Sequence, residues 1–167
     1  MPFTLKPLTL TTAVFLAAFA AATASAAVLP TSGEKTIVSY CSSSGDVCYG
    51  VFNRNGQILL RITTAARYFP RYTLCVTRLP RGNNPEHAQR CGLFPLFRQS
   101  GSVWGSSVNY ARQFVGPLAH PLAPLRGRYR VTWRNQCSGC SPKARRHSAA
   151  GAPLGPSLAF RFPFARR

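Results

Sequence analysis

Tyr129, Val131 and Trp133 alternate with Arg130, Thr132 and Arg134 across residues 128–134. Successive side chains of an extended strand point to opposite faces. This spacing therefore gathers the large apolar groups on one face and the cations on the other. Residues 157–162 repeat the pattern, with Leu158, Phe160 and Phe162 on the apolar side and Arg161 on the polar side.

Most of the chain reads the same way, as short strands separated by turns. Residues 46–54 and 57–63 are joined by Asn55-Gly56, the strongest short hairpin signal. Ile58, Leu60 and Ile62 share one face of the second strand, opposite Leu59, Arg61 and Thr63. Residues 72–79 are rich in β-formers, and residues 93–98 make a further strand. In residues 103–114, Trp104, Val108, Tyr110 and Phe114 have one parity, as in a long strand over a core. Helix signals are weak and reduce to a single turn at residues 64–68. Pro70, Pro117, Pro121 and Pro124 punctuate the connections. Residues 135–156, rich in Gly, Ser, Pro and cations, read as an exposed basic loop. The whole predicts an all-β fold, an antiparallel β-sandwich of seven to eight strands, with a small β-barrel as the alternative.

The first residues are read apart from this fold. Lys6 is the one cation of a short leading segment, residues 8–22 are apolar and uncharged, and Ala24-Ser25-Ala26 is a small-x-small tripeptide. That order is the mark of a secretory signal peptide over residues 1–26, with Ala27 as the new N-terminus. Residues 27–167 then form a single domain, and with 46% apolar residues the chain has enough to build a core. The expected destination is secreted or at the cell envelope.

Six cysteines, all after residue 26, suit an oxidising compartment. Sequence alone does not select one pairing. Local turns point to two of them. Ser43-Ser44-Gly45-Asp46 folds Cys41 opposite Cys48, and the loop Pro80-Arg81-Gly82-Asn83-Asn84-Pro85 separates Cys75 from Cys91. Cys137 and Cys140 remain.

Charge narrows the function. Lys and Arg number 21 against 3 Asp and Glu, a formal net charge of +18. The acids are Glu34, Asp46 and Glu86. A surface this positive attracts anionic envelope polymers, anionic lipid surfaces or nucleic acid, without specificity.

The segment Leu125-Arg126-Gly127-Arg128-Tyr129-Arg130-Val131-Thr132-Trp133-Arg134, followed by Gly155-Pro156-Ser157-Leu158-Ala159-Phe160-Arg161-Phe162, resembles the last two strands of bacterial immunoglobulin-like domains. There a Gly-x-Tyr-x-Val-x-Trp strand precedes a loop and a Gly-x-Ser/Thr-apolar-x-Phe strand. The resemblance implies an immunoglobulin-like sandwich. Periplasmic copper-resistance chaperones share this ending, but their copper ligands do not carry over. Ala27 stands at the place of their N-terminal histidine, and Arg134-Asn135-Gln136-Cys137 at the place of their Asp-Gly-His. The stretch from Cys41 to Tyr49 with its Asn-Gly hairpin also resembles small exported bacterial proteins.

Candidate chemistry is sparse. Cys137-Ser138-Gly139-Cys140 has the CxxC spacing of thiol–disulfide exchange or half a zinc site. Exchange wants the first cysteine at a helix start, and zinc wants two more ligands; His147 offers one. A structural disulfide is the simpler reading. His87, His120 and His147 stand in no catalytic spacing, and three acids give little material for a triad or a carboxylate pair. No cofactor or metal is implied.

The remaining constellation is cationic. Arg128, Arg130 and Arg134 share one strand face, Arg161 lies on the next strand, and Arg145 and Arg146 belong to the basic loop. Guanidinium groups bind phosphate and carboxylate through a planar fork of donors. Tyr68, Phe69 and Tyr72, interleaved with Arg67 and Arg71, are candidates for stacking on bases or sugars. The sequence thus points to a non-enzymatic exported binding module with an arginine-rich face for anionic polymers. A thiol or zinc protein using residues 137–140, and a purely structural domain, are the alternatives.

Overall fold

Asn55 and Gly56 reverse the chain with φ of 51° and 81°, the left-handed backbone that a tight hairpin turn demands. The Asn53 side-chain oxygen accepts the Gly56 N–H at 2.8 Å and closes the turn. The computed structural model describes residues 30–79, 88–114, 124–136 and 151–164. Nine strands and one helical turn occupy them: β1 (Glu34–Cys41), β2 (Val47–Arg54), β3 (Gln57–Thr64), β4 (Arg71–Arg78), β5 (Ala88–Pro95), β6 (Phe97–Ser100), β7 (Val103–Asn109), α1 (Tyr110–Gln113), β8 (Gly127–Gln136) and β9 (Leu158–Phe162).

The strands form two antiparallel sheets and not a closed barrel. One sheet has the order β1-β2-β3-β7-β6, the other β5-β4-β8-β9. The chain crosses between layers three times, from β3 to β4, from β5 to β6 and from β7 to β8, and the first and last of these are linked. β3 and β7 are neighbours in one sheet, and β4 and β8 are neighbours in the other. These two linked crossings tie the layers into a β-sandwich.

The alternation seen in the sequence is the alternation of burial. Tyr129, Val131 and Trp133 point into the core, while Arg128, Arg130 and Arg134 are exposed. Facing them are Tyr49 and Val51 of β2 and Leu60 and Ile62 of β3, all fully buried. Phe69 and Tyr72 join this core rather than the surface, so they are not free to stack on a ligand. Tyr68 is 45% exposed. Arg67 lies over the Trp104 ring, 4.9 Å from its centroid.

Four sequence expectations change. Residues 103–114 are not one strand. Asn109 caps a helical turn by accepting the N–H groups of Ala111 and Arg112. Tyr110 and Phe114 then meet as i, i+4 partners, with ring centroids 5.4 Å apart. Four-residue spacing also satisfies a strand's parity, which is why the pattern misleads. Residues 93–98 are not one strand either. Leu96 is buried between β5 and β6, and the chain changes sheet there. Residues 64–68 form no helix; Thr64 ends β3, and its hydroxyl donates to Ala66 O at 2.8 Å. Finally, residues 135 and 136, expected in a loop, belong to β8, and residues 137–150 of that loop lie outside the described residues. Asn135 is buried within β8, bonded through its N–H to Ala152 O and through its carbonyl to Gly151 N.

Candidate functional site

The outer surface of the β5-β4-β8-β9 sheet collects the arginines. Its four strands contain seven arginines and no acid, and five of the arginines point outward: Arg71 in β4, Arg128, Arg130 and Arg134 in β8, and Arg161 in β9; Arg78 and Arg90 are registered with Tyr129 and Val76 and lie toward the core side. Antiparallel partners project to the same face. Arg128 is registered with Arg161, Arg130 with Thr77 and Ala159, and Arg134 with Thr73. The tyrosines and valines behind them fill the core, so the backbone sends these arginines outward. Along β8, side chains two residues apart stand about 7 Å apart. Arg128 and Arg130 are thus neighbours in a row, and Arg161 is the cross-strand neighbour of the first.

This arrangement unites four of the cations singled out from sequence and adds one. Arg71 is exposed at the start of β4, on the outward side with Thr73. It was noticed in the sequence only as a neighbour of aromatic residues. Its parity with Thr73, Cys75 and Thr77 is the signal that places it on the basic face. Arg134 donates to Gly151 O at 3.1 Å and is held in place by the chain that returns beside β8. The side chains of Arg128, Arg130 and Arg161 have no hydrogen-bond or ion-pair partner among the described residues. Thr132 and Ser157 share a hydroxyl hydrogen bond at 2.8 Å in the middle of the face. Cys75 and Cys91 cross-link β4 and β5 on the same face.

The two described acids lie elsewhere. Glu34 belongs to β1 in the opposite sheet and pairs with Arg61 at 2.8 Å. Asp46 precedes β2 of that sheet. No described carboxylate therefore neutralises the arginine row. Among the described residues the charge on this face is positive.

Both disulfides expected from the turns are present, Cys41–Cys48 and Cys75–Cys91. Such cross-links suit an oxidising environment. Cys137, Cys140, Arg145, Arg146, His87, His120 and His147 lie outside the described residues, as does the expected signal segment. Among the described residues no group of three or more His, Cys, Asp or Glu is placed to hold a metal ion. No helix among them is long and apolar enough to cross a membrane.

No family model, curated protein or solved structure matches this chain.

Proposed function

We propose that this is an exported, non-enzymatic binding domain that holds anionic polymers of the cell envelope on the outer face of its four-stranded sheet. One observation carries the reading. Arg128 and Arg161 are placed directly opposite each other, with Arg130 next in the row and no acid in any strand of the sheet. Like charges directly opposite on a sheet destabilise it. A face that keeps them together without a counter-charge gains from an anion that bridges them. A linear polymer bearing phosphate or carboxylate groups supplies such an anion at several points along β8. Each guanidinium neutralised releases counterions, so binding falls steeply with salt.

The fold reading follows the resemblance noted in the sequence, and we take the domain as immunoglobulin-like. Two features support this. The strand orders are linked by the β3–β4 and β7–β8 crossings. The Tyr129 hydroxyl also bonds back to Leu125 O, four residues upstream at the entry to β8, in the manner of a tyrosine corner. The leader over residues 1–26 would deliver the domain to an oxidising compartment, where both disulfides close.

The test is retention on a heparin or phosphate resin. The wild-type protein should be retained and should elute only as salt is raised. Arg130→Glu/Arg134→Glu should elute at clearly lower salt while still unfolding in one cooperative transition. Co-elution of the two proteins would overturn the reading.

A further inference from the structure

A second surface, separate from the arginine row, lies along the β5 edge of the same sheet, which no described strand covers. Gln89, Arg90, Cys91 and Gly92 of β5, with Gln113 and Phe114, line a groove of about 400 Å³. Neighbouring residues of a strand point to opposite faces. A groove that touches four in succession therefore runs along the strand's edge, against its backbone. β5 is the outermost strand of its sheet.

The register says which backbone groups face the groove. Cys91 and Cys75 are directly opposite, with Cα atoms 4.1 Å apart. That is the close spacing of a pair that exchanges no backbone hydrogen bonds. The N–H and C=O of Cys91 therefore point away from β4, and by the two-residue period so do those of Gln89 and Leu93. The far wall is fixed, because the Phe114 ring packs on Phe94 of β5 with centroids 5.5 Å apart. The disulfide ties β5 to β4, so the edge is preorganised. Leu93 is 46% exposed beside it.

We propose that this groove takes an extended acidic peptide segment, which adds to β5 as a fifth strand of the sheet. Charge selects the occupant. Arg90 lines the groove and makes no described hydrogen bond or ion pair, and it and Arg78 lie within electrostatic range of the Tyr110 hydroxyl. The Gln89 and Gln113 side chains add amide donors. A second copy of this chain pairing through β5 in the register that sets Arg90 opposite itself would bring two like charges together, which repulsion opposes. A peptide carrying Glu or Asp at alternate positions meets Arg90 and the backbone ladder at once.

The experiment measures anisotropy of a labelled short alternating Val-Glu peptide, with its Val-Lys counterpart as control. The Val-Glu peptide should bind and the Val-Lys peptide should not. In Gln89→Pro, the lost N–H faces the groove and not β4, so the sheet should survive. Binding should weaken by about tenfold or more. Arg90→Glu should do the same, and it decides the matter if the proline variant does not fold. Arg130→Glu/Arg134→Glu should bind the peptide like wild type, which separates this site from the polymer face. Three outcomes overturn the proposal: wild-type binding by Arg90→Glu, loss of binding in Arg130→Glu/Arg134→Glu, or a dimer in sedimentation that Gln89→Pro dissolves while the peptide fails to bind.

Discussion

The Trp133 indole stacks on the Tyr49 ring across the two sheets, with centroids 4.5 Å apart and planes inclined by 26°. Trp133 comes from β8 and Tyr49 from β2, so one contact joins the layers. The contact is anchored further. Tyr49 donates its hydroxyl to Pro156 O at 2.8 Å and packs against Tyr40 at 5.1 Å. Behind this stack the backbone of β8 has a fixed orientation, and the arginines on its other side are aimed outward.

Truncating the stack should be the most damaging single change in the core. Trp133 is 1% exposed. Trp133→Ala removes an aromatic side chain and leaves a cavity, a loss of about 3–5 kcal/mol. Urea unfolding should show a lower midpoint with an unchanged slope. Trp133→Phe should lose much less, since stacking on Tyr49 persists.

Tyr129 makes a smaller and more local contribution. Its ring is 2% exposed and stacks on Phe160 with centroids 5.3 Å apart, while its hydroxyl bonds to Leu125 O. Tyr129→Phe keeps the ring and deletes only the bond. The expected loss is about 1 kcal/mol by chemical denaturation. Proteolysis should also become faster at residues 124–126, since that bond fixes the chain entering β8.

The polarised strands were legible because each large apolar residue in β8 and β9 has a cation or a small polar residue beside it. The first two disulfides were legible because short turns bring their cysteines to the same height. Two features of the fold were not. Tyr110 and Phe114 fit strand and helix periods equally until the Asn109 cap is seen to accept two N–H groups. Leu96 sits in a run of β-formers, and only the packing of both sheets shows that it turns the chain from one to the other. The site was half legible. Alternation predicted that Arg128, Arg130 and Arg134 share a face, but the opposition of Arg128 and Arg161 is a matter of register, which depends on how strands pair.

Stability should fall in acid partly through Glu34. Its side chain is 2% exposed. Burial alone pushes the carboxyl up, but the Thr31 hydrogen bonds and the Arg61 guanidinium outweigh it and hold the group below its ordinary value of 4.5. A depressed folded value means that the carboxylate's contribution is present above 4.5 and is lost as pH falls through the folded value. Glu34→Gln should be less stable than wild type at neutral pH by about 1–3 kcal/mol. The difference should shrink as the pH drops below 4.5. Thermal melts of both proteins across that range measure it, and a constant difference would count against the assignment.

The two disulfides should differ modestly in value. Cys75–Cys91 closes a sequence separation of 16 and Cys41–Cys48 one of 7. Constraint of the unfolded chain grows slowly with loop length. Cys75→Ser/Cys91→Ser should therefore cost about 3 kcal/mol and Cys41→Ser/Cys48→Ser about 2.5 kcal/mol. Chemical denaturation of each variant against wild type reads the order. The reverse order would mean that the β4–β5 pair holds together in the unfolded chain.

The Arg128–Arg161 pair leads to a prediction about salt that runs opposite to the usual case. Surface ion pairs weaken as salt is added, so a protein held by them melts lower. Here two cations are registered opposite each other with Arg130 beside them, and the described carboxylates belong to the other side of the sandwich. At 0.1 M the screening length is about 10 Å, longer than the spacing of these neighbours, so the repulsion is damped in part; toward 1 M the length falls to about 3 Å and the repulsion is largely screened. The unfolding midpoint should therefore rise with sodium chloride, and rise further with phosphate at matched ionic strength, because phosphate also accepts the guanidinium donors. Arg161→Gln removes one member of the pair without touching the core. It should melt above wild type at low salt, respond less to salt, and lose part of the extra gain from phosphate. A wild-type midpoint that falls with salt would show that the arginines are already neutralised within the chain.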